Sequence, residues 1–117
     1  MNPFDYSLCN QTVTLYRREK DGITRRVIPY AYFSGQIAAP TENYGKSMEK
    51  KFLLIIPGDF PLHPGDRIYA GIGPEQVDLK TFVPAAVPAL FEAGFVKPCF
   101  WEGSICHWEA GNRKETL

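Results

Sequence analysis

Three cysteines and two histidines are the residues most able to do chemistry here, and Cys99, Cys106 and His107 lie close together near the C-terminus. Cys9 is the remaining thiol. Thiolate and imidazole are the ligand types of a zinc centre. The spacing argues against one, because no Cys-x-x-Cys knuckle is present. Cys99 and Cys106 flank a turn, so their separation depends on strand register. Cys106 and His107 are adjacent, and on a strand they point to opposite faces, the wrong arrangement for a nucleophile and its base. Cys99 with His107 on the partner strand is left open, without a motif to support it. The thiols therefore read as small hydrophobes. Neither a metal, a cofactor nor an enzyme is expected.

Other candidates are thinner still. His63 precedes Pro64-Gly65-Asp66, and a histidine and an aspartate flanking a turn could be part of an acid–base site. No serine nucleophile motif or paired carboxylate accompanies them, so His63 reads as a surface turn residue. Gly71-Ile72-Gly73-Pro74 is not a phosphate-binding loop. The third glycine and the Lys-Ser/Thr are missing, and Pro74 removes an amide donor. Phe95, Phe100, Trp101 and Trp108 make the C-terminal region heavily aromatic. Only Lys97 is interleaved, which suits core filling or a protein contact better than stacking on single-stranded nucleic acid.

These residues must be positioned by a small chain of 117 residues, long enough for one domain. A domain of this size buries about two-thirds of the surface its unfolded chain exposes, so it needs no disulfide or metal to fold. Thirteen basic residues balance thirteen acidic ones, which gives no general reason to expect nucleic acid or an anionic membrane. The charge is uneven, with Arg17, Arg18, Lys20, Arg25 and Arg26 close together. This cluster reads as the solvated face of a hairpin, with an acidic partner as the alternative. The opening residues do not form a signal peptide, and no apolar run is long enough to cross a bilayer. A cytoplasmic protein with reduced thiols is expected.

Alternation and turn residues predict a mainly β fold, a small barrel or sandwich with at most one short helix. Residues 1–10 read as an irregular arm. Residues 12–18 alternate as a strand, with Val13 and Leu15 on one face and Thr12, Thr14 and Tyr16 on the other. Asp21-Gly22 supplies a turn, and residues 23–33 return as a strand that Pro29 must place at an edge or a bulge. Residues 34–50 contain Gly35, Pro40 and Gly45 and read as a long loop. Residues 51–56 form an apolar strand, expected to be buried on both faces, and residues 67–72 form the next. Pro84 and Pro88 interrupt residues 75–93, leaving a short helix near 89–93 or an extended connection. The C-terminal hairpin turns at Glu102-Gly103, and a polar tail begins at Gly111.

Several of these segments resemble a known family. They are Thr12-Val13-Thr14-Leu15-Tyr16-Arg17-Arg18 with Asp21-Gly22-Ile23-Thr24, then Pro64-Gly65-Asp66-Arg67-Ile68 and Gly71-Ile72-Gly73-Pro74-Glu75. Trp101-Glu102-Gly103 through His107-Trp108-Glu109-Ala110-Gly111 completes the set. Together they are similar to the small head–tail joining proteins of tailed phages and prophages, the head-closure (stopper) and minor capsid proteins. The resemblance spans most of the chain, and its motifs belong to the fold. It implies a β-barrel subunit stacked in a ring between portal and tail, with long loops lining the channel and residues 34–50 as a mobile loop. It supplies no catalytic residue. The expected partners are portal, adaptor and tail proteins and further copies of the chain, with no membrane and no specific nucleic acid beyond channel DNA. The expected location is the cytoplasm during assembly and then the virion. Candidate contact residues are Phe4 and Tyr6 of the arm, Arg17, Arg18, Arg25 and Arg26 of the basic hairpin, and Tyr44 and Lys46 of the loop. A nucleic-acid-binding barrel using the basic hairpin is the alternative, and a Cys/His metal protein or enzyme is a remote one.

Overall fold

The computed structural model describes residues 4–38 and 49–112. Seven strands form along the chain: β1 (Gln11–Glu19), β2 (Gly22–Ala38), β3 (Glu49–Pro57), β4 (Arg67–Ala70), β5 (Leu90–Glu92), β6 (Phe95–Trp101) and β7 (Ser104–Gly111). Every pairing is antiparallel, in the order β5-β4-β1-β2-β3-β7-β6. No helix forms among the described residues, and none is long and apolar enough to cross a membrane. The expected mainly β, barrel-like single domain is the fold that forms.

Two corners fold this ribbon around one core. β2 is seventeen residues long and serves two partners in turn: residues 22–31 pair with β1, and residues 32–38 pair with β3. The change comes just after a register shift, where Val13 faces Ile28 but Gln11 faces Ala31. The extra residue lies at Pro29–Tyr30, where Pro29 has no amide to offer a ladder. At the second corner, Ala93 and Gly94 join β5, which pairs with β4, to β6, which pairs with β7. Strands that switch sheets through a bulge or a bend are how two sheets share a closed core.

Inside lie Val13, Leu15, Ile28, Phe52, Leu54, Ile56, Ile68 and Phe91, among others. On β3 the burial alternates: Phe52, Leu54 and Ile56 are buried and Leu53 is exposed. The expectation of a strand buried on both faces is therefore corrected, because this sheet has only one covered face at that point. The strand that is covered on both faces is β1, where Val13, Thr14, Leu15 and Tyr16 are all buried. The cover is the connection from β4 to β5, which packs Phe82, Val77 and Val87 against Tyr16 and Leu90. It runs without a helix, and residues 90–92 are strand, not the helix entertained at 89–93.

Gly71-Ile72-Gly73-Pro74 is the strap that fastens this connection. The Thr14 hydroxyl donates to Gly71 O (2.7 Å) and accepts from Gly73 N (2.9 Å). Tyr16 OH donates to Pro74 O (2.6 Å), and Arg25 donates to Pro74 O and Gly73 O. A Cβ on Gly73 would lie 2.3 Å from Tyr16 OH, so the strap needs glycine there for its close approach. β4 stops at Ala70, short of the expected end at residue 72, and Ile72 turns out to solvent.

The long loop expected over residues 34–50 is shorter than its glycine suggested. Residues 34–38 and 49–50 are strand, paired from Ser34↔Leu53 to Ala38↔Glu49. Gly35 is tolerated because a Cβ there would meet Phe91 Cζ at 2.8 Å, so the rings of Phe33 and Phe91 take the space a side chain would fill. The rest of that loop lies outside the described residues. Gly111 is likewise buried inside β7, correcting the tail expected from that residue, and residues 113–117 lie outside the described part.

One buried ion pair fixes the turn before β4. Asp66 accepts from Arg17 Nε (2.9 Å) and Nη2 (2.8 Å), and also from His63 N (2.8 Å). Asp66 is 2% exposed and the Arg17 side chain 20%. Removing Arg17 leaves a buried carboxylate with one backbone donor. Arg17→Met is therefore expected to lower unfolding stability by about 3–5 kcal/mol in urea denaturation. A loss under about 1 kcal/mol, the range of surface pairs, would contradict this assignment.

Candidate functional site

The polar cluster with the most chemistry sits on the β6–β7 hairpin, and a register shift assembles it. Glu102 (φ 51°) and Gly103 (φ 81°) form the two-residue turn expected there, with positive φ at both positions. Next to the turn, Trp101 faces Ser104 and Phe100 faces Ile105. Continued unchanged, that register would set Cys99 against Cys106. The register instead shifts, and Cys99 faces His107. The extra residue in β7 is Cys106. Because alternate residues share a face, Cys99, His107 and Glu109 come to one side of the sheet. Ala110 and Trp108 point the other way, into the core.

On that outer face Glu109 Oε2 is the hub. It lies 2.9 Å from His107 Nε2 and accepts from the Cys99 thiol at 3.4 Å. Its other oxygen lies 3.6 Å from Lys97 Nζ. The second imidazole nitrogen, Nδ1, is 2.7 Å from Tyr6 OH, and Phe4 meets the ring edge-on with centroids 4.8 Å apart. The N-terminal arm thus packs on its own domain and covers His107, which is buried. Two local bonds shape the arm: Ser7 N donates to Asp5 Oδ1, and Cys9 N donates to Tyr6 O. Beside the cluster is a cavity of ≈ 270 Å³ whose lining includes Tyr6, Leu8, Cys9, Ile55 and His107.

The electrostatics disfavour the thiolate form of Cys99. Burial pushes the Cys99 thiol up, and its hydrogen bond to Glu109 and the carboxylate charge push the same way. Burial also works to raise the Glu109 carboxyl. Hydrogen bonds from His107 and Cys99, with the Lys97 charge, outweigh it and hold the group below the usual carboxylate value. A thiol kept protonated is a poor nucleophile. Both imidazole nitrogens have partners and the base touches a carboxylate, so the geometry does not support thiol catalysis. Cys9 and Cys106 are free thiols outside this group of donors.

The remaining sequence candidates are dispersed. Arg17 and Arg26 share one sheet face, and Arg18 and Arg25 share the other, as the register Leu15↔Arg26 and Tyr16↔Arg25 requires. Arg17 serves Asp66, Arg25 holds the strap, and the Arg26 guanidinium sits over the Phe60 ring at 4.7 Å. Arg18 is exposed. No single basic surface results. His63 is exposed on its turn, while Asp66 is taken by Arg17. Tyr44 and Lys46 lie outside the described residues. Sequence reasoning missed Glu109, although its position two residues after His107 on a strand places both on one face.

Two measurements check this electrostatic account. Glu109→Gln removes the charge that raises Cys99, so Cys99 is expected to alkylate faster in the variant, as mapped by peptide mass spectrometry; an unchanged or slower rate would contradict it. A carboxyl held low in the folded state contributes stability above its unfolded pKa, lost as pH falls through the lower folded value. Between about pH 7 and about pH 3 the wild type is expected to lose more stability than Glu109→Gln in urea titrations, and equal losses would refute the shift. No family model matches the chain, and neither a curated protein nor a solved structure matches it.

Proposed function

We propose that this chain is a structural subunit of a phage or prophage particle, a component of a ring at the head–tail junction that acts by protein–protein assembly. The observation that carries the reading is the tip of the β6–β7 hairpin. There Phe100 is 58% exposed and Trp101 is 42% exposed, beside the tight Glu102-Gly103 turn. Aromatic side chains held in solvent on a rigid hairpin are characteristic anchors of protein interfaces.

Two further features support it. β6 and β5 end the strand order, so each has an edge with no strand beside it among the described residues. Such edges pair readily with another chain, and the pairing is directional. A head-to-tail contact that closes by rotation makes a ring. The sequence resemblance to head–tail joining proteins supplies the phage context. The partners are then portal or adaptor proteins, tail proteins and further copies of the chain. The nucleic-acid reading has less support, because Arg17 and Arg25 are engaged within the fold and on opposite faces.

The test is co-expression with the portal protein of the phage or prophage whose genome encodes the chain, followed by affinity purification and electron microscopy. Wild-type chain is expected to co-purify with the portal and add a ring of density. The double variant Phe100→Ser/Trp101→Ser is expected to lose that association while keeping the wild-type Tm. Absence of the wild-type chain from every portal, head or tail fraction would overturn the reading.

A further inference from the structure

We propose that Cys99, His107 and Glu109 form a binding site for a first-row divalent transition ion of the zinc type, built across the β6–β7 hairpin. The donors are one sulfur, one imidazole nitrogen and one carboxylate oxygen, all within 4.8 Å of one another. A tetrahedral zinc ion with bonds of about 2.0–2.3 Å needs donors about 3.3–3.6 Å apart. Sγ and Oε2 are already 3.4 Å apart, Nε2 and Oε2, at 2.9 Å, need to open by a few tenths of an ångström, and the remaining pair, Sγ and the imidazole nitrogen, lies within 4.8 Å and closes by rotation of the Cys99 side chain. All three residues sit on paired strands and their side chains already meet, so little order has to be imposed on binding.

The charge and the surroundings fit such an ion. On binding, Cys99 gives its proton to solvent, and the imidazole proton passes from Nε2 to Nδ1, where the Tyr6 oxygen accepts its hydrogen bond, so Nε2 is free to meet the ion. Thiolate, carboxylate and neutral imidazole then neutralise a divalent cation, which a half-buried site requires. Tyr6 OH lies on the other imidazole nitrogen, the position from which outer partners orient a ligating histidine. Three protein donors leave a fourth position for water or a partner's side chain. The register shift at Cys106 is what makes the site, because without it Cys99 and His107 would point to opposite faces. Bound there, the ion ties β6 to β7 and stiffens the anchorage of the arm through Tyr6. The inference rests on this geometry alone and does not depend on the assembly role.

The experiment is titration of the purified full chain with Co²⁺ and Zn²⁺. One equivalent of Co²⁺ is expected to give tetrahedral visible bands and a thiolate-to-cobalt charge-transfer band, both removed by competing Zn²⁺. Cys99→Ser is expected to abolish the charge-transfer band, whereas Cys9→Ser and Cys106→Ser keep it. Tyr6→Phe is expected to weaken Zn²⁺ binding by about tenfold. His107 is buried and its replacement could unfold the chain, so its role is read in the wild type, from the shift of its ring nitrogens in NMR spectra on adding Zn²⁺. No charge-transfer band, a band that survives Cys99→Ser, or unmoved His107 ring signals would each overturn the proposal.

Discussion

The structure depends on a single strand that changes partners. β2 gives its first half to β1 and its second to β3, and the bulge at Pro29–Tyr30 lets it turn between them. A flat seven-stranded ribbon would leave one large apolar face in water. Bending at β2, and again at Ala93–Gly94, brings the apolar rows of both sheets together, so Leu54 and Ile56 of β3 share a core with Leu15 of β1 and Ile68 of β4. The exposed hairpin tip and the covered outer face are set by where these corners fall.

Polar contacts then hold what burial alone would leave loose. The β4–β5 connection lacks regular structure, yet it is fastened at both ends. Thr14, Tyr16 and Arg25 hold its start. Lys50 holds its end, donating to the carbonyls of Val87, Pro88 and Leu90 while its charge sits over the Phe91 ring. Burial pulls the Lys50 ammonium below its ordinary value, a cost offset by those three carbonyls. No buried side-chain nitrogen or oxygen among the described residues lacks a partner. A frame so fully satisfied can carry exposed aromatics without rearranging.

Much of this was legible in the residues, and the failures have physical causes. β1, the Glu102-Gly103 turn and the constraint at Pro29 follow from local alternation and backbone chemistry. A glycine in a strand looks like a break, when here Gly35 makes room for the rings of Phe33, two residues before it, and Phe91 of β5. The apolar run of β3 suggests burial on both faces, but such a run does not say which face a partner covers. The register shift at Cys106 left no local signal, so Cys99 could not be placed opposite His107 from spacing alone. The arginines, expected together on one solvated face of the hairpin, divide between two faces because strand side chains alternate, and their partners, Asp66 and the strap, are distant in sequence.

The proposed assembly role requires the β6–β7 tip, with the N-terminal arm packed on the same hairpin, to meet other proteins. Amide hydrogen exchange, compared between the chain alone and the chain mixed with the proposed portal partner, tests this most directly. The account predicts new protection at residues 99–104 and in the arm, with the β1 and β3 core unchanged because it is already protected. Protection confined to the turn around Asp66, or slowed nowhere on the chain, would contradict it.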